Sequence, residues 1–338
     1  MNNCLITGGA GFIGVNLAQY LIQKNKSVRI LDNLSRKGVD KNLAWLNSAF
    51  PGRFEFIRAD IRNFEEVRKN IHDIDTVFHF ASQVAVTTSV EDPRTDFEVN
   101  ALGALNVLEA ARILENPPSV LFTSTNKVYG KLSQMDLREM DKRYQFPSDN
   151  KGVDENQPLD FYSPYGCSKG AADQYIRDYS RIYGLQTTVF RMSCIYGPHQ
   201  FGNEDQGWVA HFVLSALLNR PLKIFGNGKQ VRDILYVDDL VRAFCMAAEN
   251  PDKASGGIFN IGGGCDNSVS LLELMDILRD ITGNEMPSQY FDWRPGDQKI
   301  YISDIKKAED ILGWKPEISA KQGILKIYEW IKSNRNLF

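Results

Sequence analysis

Long hydrophobic runs are missing from this chain: no stretch approaches the roughly 20 apolar residues that a membrane-spanning helix needs. A surplus of positive charge is missing too. Lys and Arg number 39 against 42 Asp and Glu, a net charge of −3, so neither nucleic acid nor an anionic membrane is expected as the main partner. An anionic substrate must then be met by local basic groups. Histidine is scarce, at four residues, and no His/Asp/Glu cluster has ligand spacing, so no metal is expected. The five cysteines (Cys4, Cys167, Cys194, Cys245, Cys265) are odd in number, scattered and without a C-x-x-C pair. They supply neither a disulfide framework nor a zinc site and fit a reducing cytoplasm. The opening MNNCLITGG runs directly into structure, so no signal peptide is expected. Internal repeats and low-complexity tracts are also lacking. What remains is ordinary soluble composition, 43% hydrophobic and 24% charged, over 338 residues, enough for one large or two interlocked domains.

Short β-rich runs alternate with helical patterns in the first half: NCLIT, a helix over about 12–24, VRIL, FEFIR, DTVFHF, a helix near 97–114, and SVLFT. That alternation predicts a parallel sheet with helices on both faces. The loop after the first strand reads TGGAGFIG, with Gly8, Gly11 and Gly14. Glycines there permit a tight turn, close backbone approach to a pyrophosphate and tight helix–strand packing, and the following helix turns its positive end to the phosphates. Asp32 ends the second strand 18 residues after Gly14, where a carboxylate accepts ribose hydroxyls and repels a 2′-phosphate. Arg36 and Lys37 follow closely, so the carboxylate favours NAD without closing the site to NADP.

The G-x-x-G-x-x-G spacing resembles the extended, sugar-nucleotide-modifying branch of the short-chain dehydrogenase/reductase superfamily. Further stretches agree in the same order: Asp60-Ile61, HFAS at 79–82, Asn100, YSPYGCSK, RMSCIYGP, VRDILYVDD and RPGD. The resemblance implies NAD as cofactor, with Phe12 and Ile13 joining the three glycines at the pyrophosphate. It puts Asn33, Ser35 and Arg36 beside Asp32, and Asp60 and Ile61 at the adenine. Phe80, Ala81, Ser82, Asn100 and Thr123 complete the implied cofactor site, together with Tyr165 and Lys169. It also implies an α/β fold: a Rossmann-type doubly wound parallel sheet with a smaller mixed α/β C-terminal lobe. The NAD-binding domain is expected over 1–191, joined by a strand–helix unit at about 232–250. The sugar-nucleotide lobe is expected over 192–231 and 251–338.

Tyr165 and Lys169 stand four residues apart at the start of a helix, hence on one face. A tyrosine is a poor base at neutral pH, but a fixed ammonium and a positive nicotinamide nearby favour its phenolate. By resemblance the third member is Thr125, four residues before the Tyr of V-Y-G, sharing the substrate proton with Tyr165. In related 4,6-dehydratases the corresponding stretch looks like S-T-D-E-V-Y-G, where Asp and Glu serve elimination. Here Asn126 and Lys127 occupy those places, an amide and an ammonium, which speaks against dehydration.

With D-N-L-S-R-K-G at 32–38, D-Q-G-W-V at 205–209 and S-A-K-Q-G at 319–323, the S-T-N-K-V-Y-G stretch looks like the CDP-paratose 2-epimerases. That resemblance implies inversion at C2 of a CDP-linked dideoxysugar through a 2-keto intermediate. Gln83, Thr125, Asn126, Arg232 and Arg294 are the implied substrate contacts, the two arginines on the diphosphate. Cys194 replaces the substrate-contacting Asn of many relatives. The polar insertion 131–162 reads equally as a lid or as a solvent loop. The alternatives are a UDP-sugar 4-epimerase or a non-catalytic NAD-binding protein. A homo-oligomer, dimer or tetramer, is expected through the helices near 97–114 and 165–183.

Overall fold

The structure is a computed structural model that describes residues 1–147, 150–294 and 297–338. Two sequence features therefore fall partly outside it: Ser148-Asp149 of the insertion and the Pro295-Gly296 centre of R-P-G-D.

Strands β1 (Asn3–Thr7), β2 (Ser27–Asp32), β3 (Glu55–Arg58), β4 (Thr76–His79) and β5 (Ser119–Thr125) form one parallel sheet with two later strands, Thr187–Met192 and Gly257–Ile261. Runs such as Cys4-Leu5-Ile6 are buried throughout, as strands covered by helices on both faces must be. The spatial order is β3, β2, β1, β4, β5, then Thr187–Met192 and Gly257–Ile261. The chain winds outward from β1 in both directions, so the crevice beyond the carboxyl ends of β1 and β4 is the switch point where a ligand belongs.

Two apolar layers flank the sheet. One packs helix α1 (Phe12–Gln23) and helix Val237–Glu249 on one face, around Phe78, Phe190 and Phe244. The other packs helices Gly103–Arg112 and Pro164–Tyr183 on the opposite face, around Val107, Phe122 and Ile176. A third core, with Tyr196, Phe212, Leu274 and Ile327, belongs to the C-terminal lobe.

One expected feature is corrected. The last strand of the main sheet is Gly257–Ile261, in register from Gly257 opposite Thr188 to Ile261 opposite Met192. The expected unit at 232–250 splits instead. Its strand, Val231–Tyr236, pairs with Cys194–Tyr196, Ser268–Ser270 and Ile300–Tyr301 in a separate sheet, and only its helix returns, packing on α1.

The insertion is fastened to the C-terminal lobe at several points. A small hairpin pairs Arg138–Glu139 with Tyr144–Gln145. The Arg143 guanidinium donates to Ser268 Oγ at 2.7 Å, and Val153 exchanges backbone bonds with Ile302 and Asp304 at 2.8 and 2.9 Å. Leu132, Tyr144, Phe146 and Val153 are buried. Its described residues thus strap the two lobes together and are not a solvent loop.

Candidate active site

The first loop has the shape its glycines predict. Gly8 lies at φ +68°, and a Cβ on it would come within 2.7 Å of the Ala81 backbone nitrogen. A Cβ on Gly14 would sit 2.5 Å from the Gly8 carbonyl oxygen. The N-terminus of α1 carries no capping side chain and no acidic residue in its first turn, leaving its N–H groups and positive end open. Phe12 and Ile13 begin that turn. Asp32 is buried at the tip of β2, where its carboxylate accepts from Ala10 N at 3.1 Å and Leu34 N at 2.8 Å. Burial raises its pKa, and among the described residues it has no ion-pair partner. An open helix end beside a buried carboxylate fits a dinucleotide that lacks a 2′-phosphate.

At the next strand end, the Asn33 amide donates to Asp60 at 3.0 Å. The Arg62 guanidinium chelates the same carboxylate and, more than any other neighbour, holds it down to about 2. Ile61 is buried against Gly103. Ser35 is exposed, and the Arg36 guanidinium donates to the Gln206 side chain.

Asn100 sits in a π-helical turn, Glu98–Leu102, a type of turn frequent at functional sites. Its amide oxygen accepts from Ser82 Oγ at 2.7 Å and Gln83 N at 2.9 Å. Its amide nitrogen donates to Asp96 at 3.1 Å and Ser168 Oγ at 3.0 Å. The residue fixes the loop after β4 onto the Pro164–Tyr183 helix. The Gln83 amide folds back on its own loop, exchanging bonds with Ala85 at 2.6 and 2.9 Å. His79 is buried, with one ring nitrogen on Thr7 Oγ1 at 2.7 Å, and burial drives it down to about 3.

Thr125, Tyr165 and Lys169 converge at the end of β5. Thr125 Oγ1 accepts from Lys127 N at 3.2 Å, capping the 3-10 turn Asn126–Tyr129, in which Asn126 is buried. Ser163 caps the next helix by accepting from Gly166 N at 3.0 Å, and Pro164 occupies its first turn. Tyr165 N donates to Ser89 Oγ at 3.1 Å, fixing the entry of that helix. Burial pushes the Tyr165 phenol up to about 12, with Asp96 in the same direction. The hydrogen bond with Thr125 and the Arg36 guanidinium oppose that rise. Lys169 donates to the Thr123 carbonyl at 2.6 Å and lies 4.2 Å from the Phe122 ring centre. Burial brings it down to about 7, against the pull of Asp173 and Asp96.

Across the crevice, Arg232 is buried and donates to Asp297 at 3.1 Å. Arg294 lies over Phe225 at 3.9 Å and donates to the Glu204 carbonyl at 3.0 Å. Lys127 points into the same space. It is half-buried, and burial followed by the Arg232 charge lowers it to about 8.

Sequence reasoning missed Asp96, Ser168 and Ser89, which hold the helix in place, because their pairing is purely tertiary. Asp173 had a readable signal: it follows Lys169 by four residues and Tyr165 by eight, on one helix face.

Residues 4–262 match the model of the NAD dependent epimerase/dehydratase family. The chain belongs to that family. It is 47% identical to the CDP-paratose 2-epimerase of Salmonella typhi over 97% of this chain and 99% of that one. The UDP-glucose 4-epimerase of Thermotoga maritima, solved with UDP-glucose, matches at TM-score 0.84 and 31% identity, covering 98% of this chain and 99% of its own. The UDP-glucuronic acid 4-epimerase of Bacillus cereus, solved with UDP-glucuronic acid and NAD, matches at 0.84 and 29% with the same coverage. This family member is therefore an NAD-dependent enzyme acting on a nucleotide sugar. Among the described residues no helix is long and apolar enough to cross a membrane, and no group of three or more His, Cys, Asp or Glu could hold a metal.

Proposed function

We propose that the protein inverts C2 of a CDP-linked 3,6-dideoxyhexose, interconverting CDP-paratose and CDP-tyvelose. One observation carries the reading: Asn126 and Lys127 follow Thr125 in a chain 47% identical, over nearly its whole length, to a CDP-paratose 2-epimerase. Elimination of water needs an acid and a base at the sugar, and these two residues are an amide and an ammonium. The Asp96 carboxylate, whose charge reaches Tyr165, is occupied by Ser168 and Asn100. A redox-neutral inversion needs neither.

In this reading the open end of α1, the Gly8–Gly14 loop and Asp32 hold NAD, which supplies the acceptor and later the donor of the C2 hydrogen with its electron pair. Tyr165 takes the C2 hydroxyl proton, and Thr125 holds the same oxygen through its hydroxyl. Lys169 stabilises the phenolate that accepts this proton, a role for which its bond to a neutral carbonyl leaves its charge unspent. The product of this half-cycle is a 2-keto sugar. Tyr165 returns the proton once the ketone has presented its other face. Arg232 and Arg294 retain the diphosphate meanwhile, exchanging Asp297 and the Glu204 carbonyl for phosphate oxygens.

The protein works in the cytoplasm in this reading, which suits five free thiols. It acts as a homo-oligomer through helix faces that expose Phe97, Ile182 and Tyr183. The test of the substrate is thermal protection of the NAD-loaded protein by CDP, UDP and dTDP at equal concentration. CDP is expected to protect most. Protection by UDP alone would transfer the assignment to a UDP-sugar 4-epimerase.

A further inference from the structure

The inference concerns Lys127 and rests on the C2 reading above. Its backbone is fixed by two bonds: Lys127 N donates to Thr125 Oγ1 at 3.2 Å, and its carbonyl accepts from Gly130 N at 3.2 Å. Its side chain leaves this turn for the space between Thr125 and the strand Val231–Tyr236. The charges it feels there are Arg232, Asp297 and the Cys194 thiol. Cys194 in turn feels both Lys127 and Arg232. Among the described residues its ammonium has no ion-pair partner, whereas Arg232 has Asp297 at 3.1 Å. Two cations thus share one half-buried space with one carboxylate between them. Such an arrangement costs free energy until an anion enters.

The chemistry of the substrate says which anion that is. In a nucleotide sugar the β-phosphate is attached to C1. C4 lies across the ring from C1, so an enzyme that reacts at C4 holds the phosphate a full sugar width from its tyrosine. C2 is bonded to C1 directly. When the C2 oxygen sits on Thr125 and Tyr165, the sugar-linked phosphate must lie within a few atoms of them, where Lys127 stands. A carboxylate at this position would repel it.

We propose that Lys127 is a phosphate-binding residue that takes the sugar-linked phosphate and so directs C2, not C4, to Thr125 and Tyr165. Arg232 then holds the other side of the diphosphate. A bound phosphate also favours the charged form of a lysine that burial and Arg232 have brought down to about 8. The side chain is a specificity determinant in this account, and transfers no proton.

Binding separates this role from a structural one. Titration calorimetry of the NAD-loaded protein with CDP and with CMP compares nucleotides that differ by the phosphate in question. In Lys127→Met the Kd for CDP is expected to rise tenfold or more, while that for CMP stays within twofold. Lys127→Arg should retain most of the CDP affinity, and Lys127→Gln provides a second neutral variant if Lys127→Met fails to fold. Equal weakening of CDP and CMP, or no change in either, would overturn the proposal. UDP and UMP titrated in parallel keep the two readings distinct. A wild type that prefers the uracil pair contradicts CDP recognition, yet its diphosphate-to-monophosphate ratio still judges Lys127.

Discussion

The hydroxyl of Ser124, the β5 residue directly before Thr125, donates to the Asp173 carboxylate at 2.7 Å. The same carboxylate takes two bonds from Arg191 at 2.9 Å, and both members of that ion pair are almost completely buried. Three elements meet there: β5, the Tyr165 helix and the strand Thr187–Met192. Asp173 thus ties together the elements that position Thr125, Tyr165 and Lys169.

Asp173→Asn should therefore be strongly destabilising. Removing one partner of a buried pair leaves the Arg191 charge uncompensated, at a cost of about 3–5 kcal/mol. Chemical denaturation read by circular dichroism checks this. A loss below about 1 kcal/mol would mean that the pair contributes little.

Tyr165→Phe removes the proposed proton acceptor and leaves the Lys169–Thr123 contact in place. Turnover is expected to fall about 10²–10⁴-fold, with bound NAD unchanged. The phenol, pushed up to about 12 by burial, should ionise at lower pH when the positively charged oxidised cofactor is bound. Ultraviolet titration of the phenolate with and without NAD measures that shift, which the Phe variant must lose.

His79 makes acid stability a further observable. Its ring is neutral in the fold and driven down from 6.5 to about 3, first by burial and then by Lys169. Above the ordinary histidine pKa the ring is neutral in both states and contributes no pH dependence. As pH falls, the unfolded chain binds the proton first, so stability declines between those two values. His199, lowered to about 4 by burial, acts in the same direction. His79→Asn keeps a hydrogen-bonding partner for Thr7 and should flatten the acid-side slope in melting experiments, without changing turnover at neutral pH by more than a few fold.

Much of this was legible in the sequence because it is local. Glycine spacing before a helix announces the cradle, and Tyr165 and Lys169 are four residues apart, a separation that only a helix makes meaningful. The strand that completes the main sheet was not legible. VRDILY and GIFNI are both short apolar runs, and nothing in either says which edge will bury it; the open side of Thr187–Met192 decides. The hub of Asp96, Asn100, Ser168 and Ser82 was hidden for a related reason. Its members lie up to 86 residues apart, and a polar residue does not carry its partner's address in its own neighbourhood. The insertion, which reads equally as a lid or a solvent loop, hid its anchors because its few apolar residues have no periodicity, yet Tyr144, Phe146 and Val153 are anchors on the other lobe.

Proton NMR of the purified protein with CDP-tyvelose in D2O, supplied with NAD, addresses the chemistry itself. Conversion to CDP-paratose with ordinary hydrogen retained at C2 is the expected result, since the atom removed is the atom returned. Deuterium at C2 of the product would contradict it and require abstraction of the C2 hydrogen as a proton.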